Sequence, residues 1–195
     1  MNTKWIMFSA ILFLAILNSS GSPLEQTGEW SRTEGYLKAR LRLKHRTTST
    51  NNYSEILAYL ELCNTCPPER TVKVILPFSR ANSLTFVVKD ADGKPIEPKP
   101  LFCSTISGVD ELNIVLPQDC TMKFCISLNG GGVCSNQALL YLSPGRGWHF
   151  DHGTNTEYTL SATLKIDGEK DFSNRHWQGS LELPSVRIPV PIADR

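Results

Sequence analysis

From Tyr36 onward the chain sets an apolar residue at every second position, and that period of two confines it to β-structure. Leu37, Ala39, Leu41 and Leu43 alternate with Lys38, Arg40, Arg42 and Lys44, so an extended backbone places aliphatics on one face and cations on the other. Ile56, Ala58, Leu60 and Leu62 repeat the pattern, Val72 and Val74 follow in a short strand, and Leu84, Phe86 and Val88 precede the turn Asp90-Ala91-Asp92-Gly93. Leu112 to Leu116 reads as a strand stopped by Pro117. Met122, Phe124, Ile126 and Leu128 form an inward row with Cys125 on the opposite face, and Val133 to Leu142 returns after a glycine turn. Tyr158, Leu160, Ala162, Leu164 and Ile166 alternate with Thr159, Ser161, Thr163 and Lys165.

The last strand, Gly179 to Val190, changes phase: Leu181 and Leu183 are odd, whereas Val186, Ile188 and Val190 are even. One extra residue at Pro184-Ser185 restores the facing, which predicts a bulge. Pro189 and Pro191 withhold ladder donors and predict a sheet edge. No twelve-residue stretch after the opening apolar run has a period of 3.6. Roughly eight or nine strands separated by turns predict an all-β chain, an antiparallel immunoglobulin-like β-sandwich, with a small β-barrel as the alternative.

Ahead of this region lies Trp5 to Leu17, an apolar run preceded by Lys4 and followed by Asn18, Ser19, Ser20 and Gly21. A basic start, a short apolar core and small residues at its end make a secretory signal peptide, residues 1–21. The run is shorter than the roughly 20 residues a membrane-spanning helix needs. Residues 22–34 are polar without period and predict a flexible N-terminal arm, leaving residues 35–195 as a single domain, secreted or periplasmic. Lys and Arg number 20 against 19 Asp and Glu, a balance that provides no large field for nucleic acid or anionic lipid.

An oxidising compartment turns Cys63, Cys66, Cys103, Cys120, Cys125 and Cys134 into disulfide candidates. Sequence selects no connectivity. The glycine turn Asn129-Gly130-Gly131-Gly132 favours Cys125 with Cys134, Cys103 with Cys120 would close a medium loop, and Cys63 with Cys66 fits either a tight bridge or free thiols. A four-thiolate zinc site built from Cys63, Cys66, Cys120 and Cys125 competes poorly with oxidation.

Trp148-His149-Phe150-Asp151-His152 concentrates ligand-type side chains, but on an extended chain His149 and His152 face opposite ways. Between Gly147 and Gly153 the segment reads as a loop. The expected assignment is therefore no metal and no cofactor, with a hydrolase or metalloprotein centred on His149, Asp151 and His152 as the outlying alternative. No Gly-x-Ser-x-Gly, His-Glu-x-x-His or cysteine-nucleophile signature is present, and the chain is expected not to be an enzyme. Asp90-Ala91-Asp92-Gly93 opens like a calcium loop, yet Lys94 and Pro95 stand where further oxygens are needed, so a hairpin turn is expected.

Lys38, Arg40, Arg42, Lys44, His45 and Arg46 form a basic strip, a pattern that elsewhere serves phosphate or heparin binding. No aromatic residue interleaves with it in sequence, so it reads as an edge strand whose charges block unwanted pairing. Trp148 and Trp177 are candidate sugar platforms or partner anchors. Trp177, in the connection that includes His176, is expected to be the more exposed. Binding is therefore assigned to Trp148, His149, His152, His176 and Trp177, with a protein partner first and a glycan second.

The segments Leu84-Thr85-Phe86-Val87-Val88-Lys89-Asp90-Ala91-Asp92-Gly93-Lys94 and Tyr158-Thr159-Leu160-Ser161-Ala162-Thr163-Leu164 resemble the bacterial intracellular proteinase inhibitor family. The chain is similar also to secreted bacterial Ig-like domains that begin with a Leu-x-Ala-x-Leu strand and end with a Trp-x-Gly strand. The resemblance implies a sandwich in which a Phe-Val-Val strand turns through Asp-x-x-Gly and a Tyr-Thr-Leu strand closes the fold. A protease-inhibitor-like domain is the function it implies. Six cysteines, the apolar leader, and Asn155-Thr156-Glu157 in place of a Pro-Gly turn depart from the pattern, and no inhibitory residue is carried over.

Overall fold

The longest alternating segments make the longest strands. The computed structural model describes residues 24–48, 53–69, 73–100, 111–128, 137–143, 146–152, 157–167 and 176–190. In it, β2 (Leu37–Thr48) and β3 (Tyr53–Asn64) run antiparallel in unbroken register, from Leu37 opposite Asn64 to Thr48 opposite Tyr53. Leu37, Ala39, Leu41 and Leu43 of β2 and Ile56, Ala58, Leu60 and Leu62 of β3 are buried on one face, the inner one. The intervening Lys38, Arg40, Arg42, Tyr59, Glu61 and Cys63 share the outer face, because directly opposed residues in a ladder point the same way.

In its described part, the segment expected as a flexible arm is instead a sheet edge. β1 (Glu25–Thr27) pairs antiparallel with Arg42–Lys44. Beyond it, Gly28 and Ser31 donate their amides to the carbonyls of Leu41 and Ala39 at 2.9 and 2.8 Å. Ser31 is buried, and its Oγ accepts from the Ala39 amide at 3.0 Å. A side chain at Gly28 would have its Cβ 3.3 Å from the Leu41 carbonyl oxygen and 3.4 Å from Val186 Cβ, so the arm lies close against both neighbours. Three paired residues are too few to show a period in sequence, yet they satisfy the backbone groups β2 would otherwise leave open.

On its other side β3 takes two partners. β9 (Thr121–Cys125) runs antiparallel along Tyr59–Cys63, and β10 (Gln137–Ser143) runs parallel through Ala138 opposite Ser54 and Leu139 opposite Glu55. β11 (Arg146–Asp151) and then β7 (Lys99–Pro100) complete this seven-stranded mixed sheet. A second, antiparallel sheet has the order β13 (Gly179–Arg187), β12 (Thr159–Ile166), β5 (Leu84–Lys89), β6 (Pro95–Ile96). β4 (Val74–Ser79) and β8 (Glu111–Leu116) form a two-stranded ladder, followed after β4 by one helical turn, α1 (Arg80–Ser83).

The chain is thus all-β, with mixed and antiparallel sheets, none of which closes into a barrel among the described residues. Two expectations are corrected: the parallel β3–β10 contact makes the main sheet mixed, and the barrel alternative fails because β1 and β7, the ends of that sheet, do not pair. Leu41, Leu60 and Phe150 of the large sheet, Leu76 and Leu116 of the ladder, and Leu160, Leu164 and Val186 of the second sheet share one core. Each such side chain contributes about 1.5–3 kcal/mol by leaving water.

The predicted bulge is present. Ala162 faces Leu183 and Leu160 faces Val186, so β13 spends one residue more than β12 at Pro184-Ser185, and Leu183 and Val186 both stay buried. Two local readings change: residues 146–151 are a strand and not a loop, and Met122, expected inward, is exposed.

Candidate functional site

The two tryptophans expected to offer ring faces are core residues. Trp148 is 5% exposed and donates its indole N–H to the Ile96 carbonyl at 2.8 Å; Trp177 is 7% exposed and donates its own to the Glu34 carbonyl at 2.8 Å. The Trp177 backbone amide also bonds the Ile75 carbonyl at 2.7 Å. With ring and polar tip both committed, neither can stack on a sugar, which corrects the reading of Trp177 as the exposed anchor. His176, beside it, is half-buried.

The histidine-rich segment is divided by the end of β11: His149 lies in the strand and His152 in the turn after it. His149 lies opposite Leu139, and its Nδ1 is 3.1 Å from Gln137 Oε1; Gln137 Nε2 in turn donates to Asp151 Oδ1 at 2.6 Å. Burial, and then the charge of Lys99, pushes the His149 imidazole below its usual range, with Asp151 opposing. His152 falls past the end of β11, 3.2 Å from the hydroxyl of Ser54. His149, Asp151 and His152 therefore do not converge, and no group of three metal-ligating side chains exists among the described residues.

His152 meets a residue that sequence reading left inside the basic strip. His45 Nε2 lies 2.5 Å from the same Ser54 Oγ, so two imidazoles from β2 and the end of β11 share one buried hydroxyl of β3. Burial lowers the pKa of both; His152 lowers that of His45 further, while Asp151 partly offsets the effect on His152. Ninety-eight positions separate Ser54 from His152, and no local motif announces the contact.

The disulfide framework is not formed at the four described cysteines. Cys63 and Cys66 are separate thiols: Cys63 contacts its neighbour's carbonyl at Asn64, and Cys66 is buried against the Pro67 carbonyl. Cys120 and Cys125 are exposed thiols, Cys125 lying 3.2 Å from the Ser127 hydroxyl. Cys103 and Cys134, the partners expected for them, lie outside the described residues.

The basic strip is not an edge. β1 covers one side of β2, and carboxylates cross to its cations: Glu61 receives Arg40 Nε at 2.6 Å and Arg42 at 3.3 Å, Glu25 also pairs with Arg42, and Glu55 pairs with Arg46. Glu61 is only 4% exposed. Burial works against its charge, yet the hydrogen bonds from Arg40 and Arg42 outweigh that and hold its carboxyl below the usual carboxylate range. Aromatic rings do enter the strip: Trp30 lies under Lys38 and Arg40, 4.8 and 4.3 Å from ring centroid to cation, and Tyr59 lies under Lys123 at 4.3 Å. Asp90-Ala91-Asp92-Gly93 is a turn whose Asp90 carboxylate accepts the amides of Asp92 and Lys94.

Among the described residues β8 has a ladder partner only in β4, which leaves its other edge unpaired. The Ile75 carbonyl is turned to Trp177, away from β8, so Ile75 and Val115 form a pair without mutual hydrogen bonds, and the backbone of Val115 points to the open side. Two residues on, Pro77 faces Asn113, which places the Asn113 amide on that side as well. Leu112 is 54% exposed and Val115 43%. No helix among the described residues is long and apolar enough to cross a membrane.

The chain matches no protein-family model, no curated protein and no solved structure.

Proposed function

We propose that this chain is a non-enzymatic binding domain of immunoglobulin-like sandwich type, secreted or periplasmic, that takes a strand of a protein partner along the open edge of β8. The observation carrying this reading is the edge itself: outward amides at Asn113 and Val115 flanked by exposed Leu112 and Val115. An added strand gains main-chain hydrogen bonds from such an edge and selectivity from alternate side chains. Open apolar edges are otherwise suppressed, because they invite pairing. The apolar leader supports action outside the cytoplasm. Burial of Trp148 and Trp177 turns the reading away from a sugar platform built on those rings.

A photoreactive side chain in place of Leu112 tests it in the extracytoplasmic fraction of producing cells. A discrete protein adduct is expected from Leu112 and none from the equally apolar Val87 on β5. Asn113→Pro removes an outward donor and leaves the β4 ladder intact, so it should abolish the adduct. No adduct at Leu112, or one indifferent to Asn113→Pro, rejects edge pairing.

A further inference from the structure

We propose a second binding site, independent of the β8 edge: the outer face formed by β1, β2, β3 and β9, which takes a linear sulfated polysaccharide. Lys38, Arg40, Arg42, Lys44 and Arg46 occupy alternate positions of one unbroken strand. At about 3.4 Å per residue their heads repeat roughly every 6.8 Å along a row of about 27 Å. Lys123 flanks the row from β9, opposite Glu61. Six cations on this face meet three carboxylates, Glu25, Glu55 and Glu61, a local surplus of positive charge on a chain whose net charge is +1.

The carboxylates and rings hold the cations in place. Glu61 fixes Arg40 and Arg42 from beneath, and Trp30 and Tyr59 seat Lys38 and Lys123. Among the described residues, Lys38, Lys44 and Lys123 have no carboxylate partner within ion-pair distance, so their charge remains for a ligand. Side chains ordered in advance lose less entropy on binding. A regular line of fixed cations suits a stiff chain bearing sulfates at regular intervals.

Other polyanions fit less well. Single-stranded nucleic acid needs open ring faces on which bases stack, and here cations already lie over both rings. A protein partner needs apolar anchors, yet the large exposed apolar side chains, Leu24, Val87, Leu112, Val115 and Met122, include none from the alternating outer rows of β2 and β3.

The test is binding of the purified chain to heparin oligosaccharides across a salt series. Lys38→Gln, Lys44→Gln and Lys123→Gln combined keep polar side chains with the first two methylenes and remove three charges. Lys73→Gln, Lys89→Gln and Lys94→Gln combined remove three charges elsewhere. The first set should weaken binding at least tenfold and flatten the logarithmic salt dependence by about two to three, since each of the three lost cations accounts for roughly 0.7–0.9 of that slope; the second should change affinity less than twofold. Trp30→Leu, which alters no charge, should weaken binding several-fold. Equal loss in both triple variants, absence of binding at physiological salt, or equal affinity for single-stranded DNA or polyglutamate of matched charge overturns the proposal. Unchanged Leu112 crosslinking in the outer-face variant separates its failure from failure of the edge reading.

Discussion

The indole N–H of Trp177 bonds the backbone carbonyl of Glu34 across 143 positions of sequence, tying the entry of β13 to the entry of β2. Two glycines make room for that contact. A Cβ on Gly35 (φ +53°) would lie 3.0 Å from the indole nitrogen, and one on Gly179 (φ +155°) would lie 2.6 Å from Glu34 Oε1. Trp177→Phe keeps most of the bulk but removes one of the two hydrogen bonds the Glu34 carbonyl accepts, the other coming from the Leu37 amide at 2.9 Å, and should lower stability by about 0.5–1.5 kcal/mol. Trp177→Ala should lose about 3–5 kcal/mol through the cavity, and Gly179→Ala about 1–3 kcal/mol through backbone strain. Urea unfolding checks the order.

Stability should fall in mild acid. The folded state holds His45 and His152 below the usual imidazole range, so the unfolded chain binds their protons more readily. Their contribution is complete above the unfolded pKa of about 6.5 and is lost as pH drops through it toward the folded values. Charged groups near the pair are Asp151, beside His152, and the Arg46–Glu55 pair on the outer face. Urea midpoints are expected to decrease from pH 8 to pH 5, and the double variant His45→Gln, His152→Gln to flatten that slope.

Glu61 should matter more than a surface carboxylate does. Glu61→Gln leaves Arg40 and Arg42 facing each other with one neutral acceptor, and about 1–3 kcal/mol is expected to be lost, discounted for guanidinium heads about a third exposed. Because its folded pKa is depressed, this contribution is present at neutral pH and disappears as acid protonates Glu61. A Glu25→Gln variant, at a more exposed site, should fall within 1 kcal/mol of the parent by chemical denaturation.

Thiol reactivity should follow burial. In reduced native protein, Cys120 and Cys125 should alkylate first, Cys63 more slowly, and Cys66 only on unfolding. Peptide mapping of timed labelling reads this order directly. Early modification of Cys66 would contradict its placement against Pro67.

The strands and the facing of their residues were legible because alternation is local: a two-residue period needs only neighbours to be recognised, and Pro184-Ser185 announces its bulge by shifting that period. The candidate sites were far less legible. Sequence marked the strip from Lys38 to Arg46 but not its aromatic companions, since Trp30 comes from the edge arm and Tyr59 and Lys123 from the paired strands β3 and β9. It marked His152 but not His45 or Ser54 as its associates. It read Trp177 as exposed because the residue lies in the connection between two strands, although burial depends on what packs over the ring.

By itself, then, the amino-acid sequence determined an all-β chain, the inward aliphatic rows of β2, β3, β5 and β12, and an even charge balance, all properties of neighbouring residues. Only the tertiary structure decided that β10 joins β3 in parallel, that β1 covers β2 while β8 has no second ladder partner among the described residues, that Trp148 and Trp177 are interior, and that two histidines meet on Ser54. Each of these depends on contacts between segments distant in the chain, where pairing and burial are settled by competition among strands for the same backbone groups and the same core.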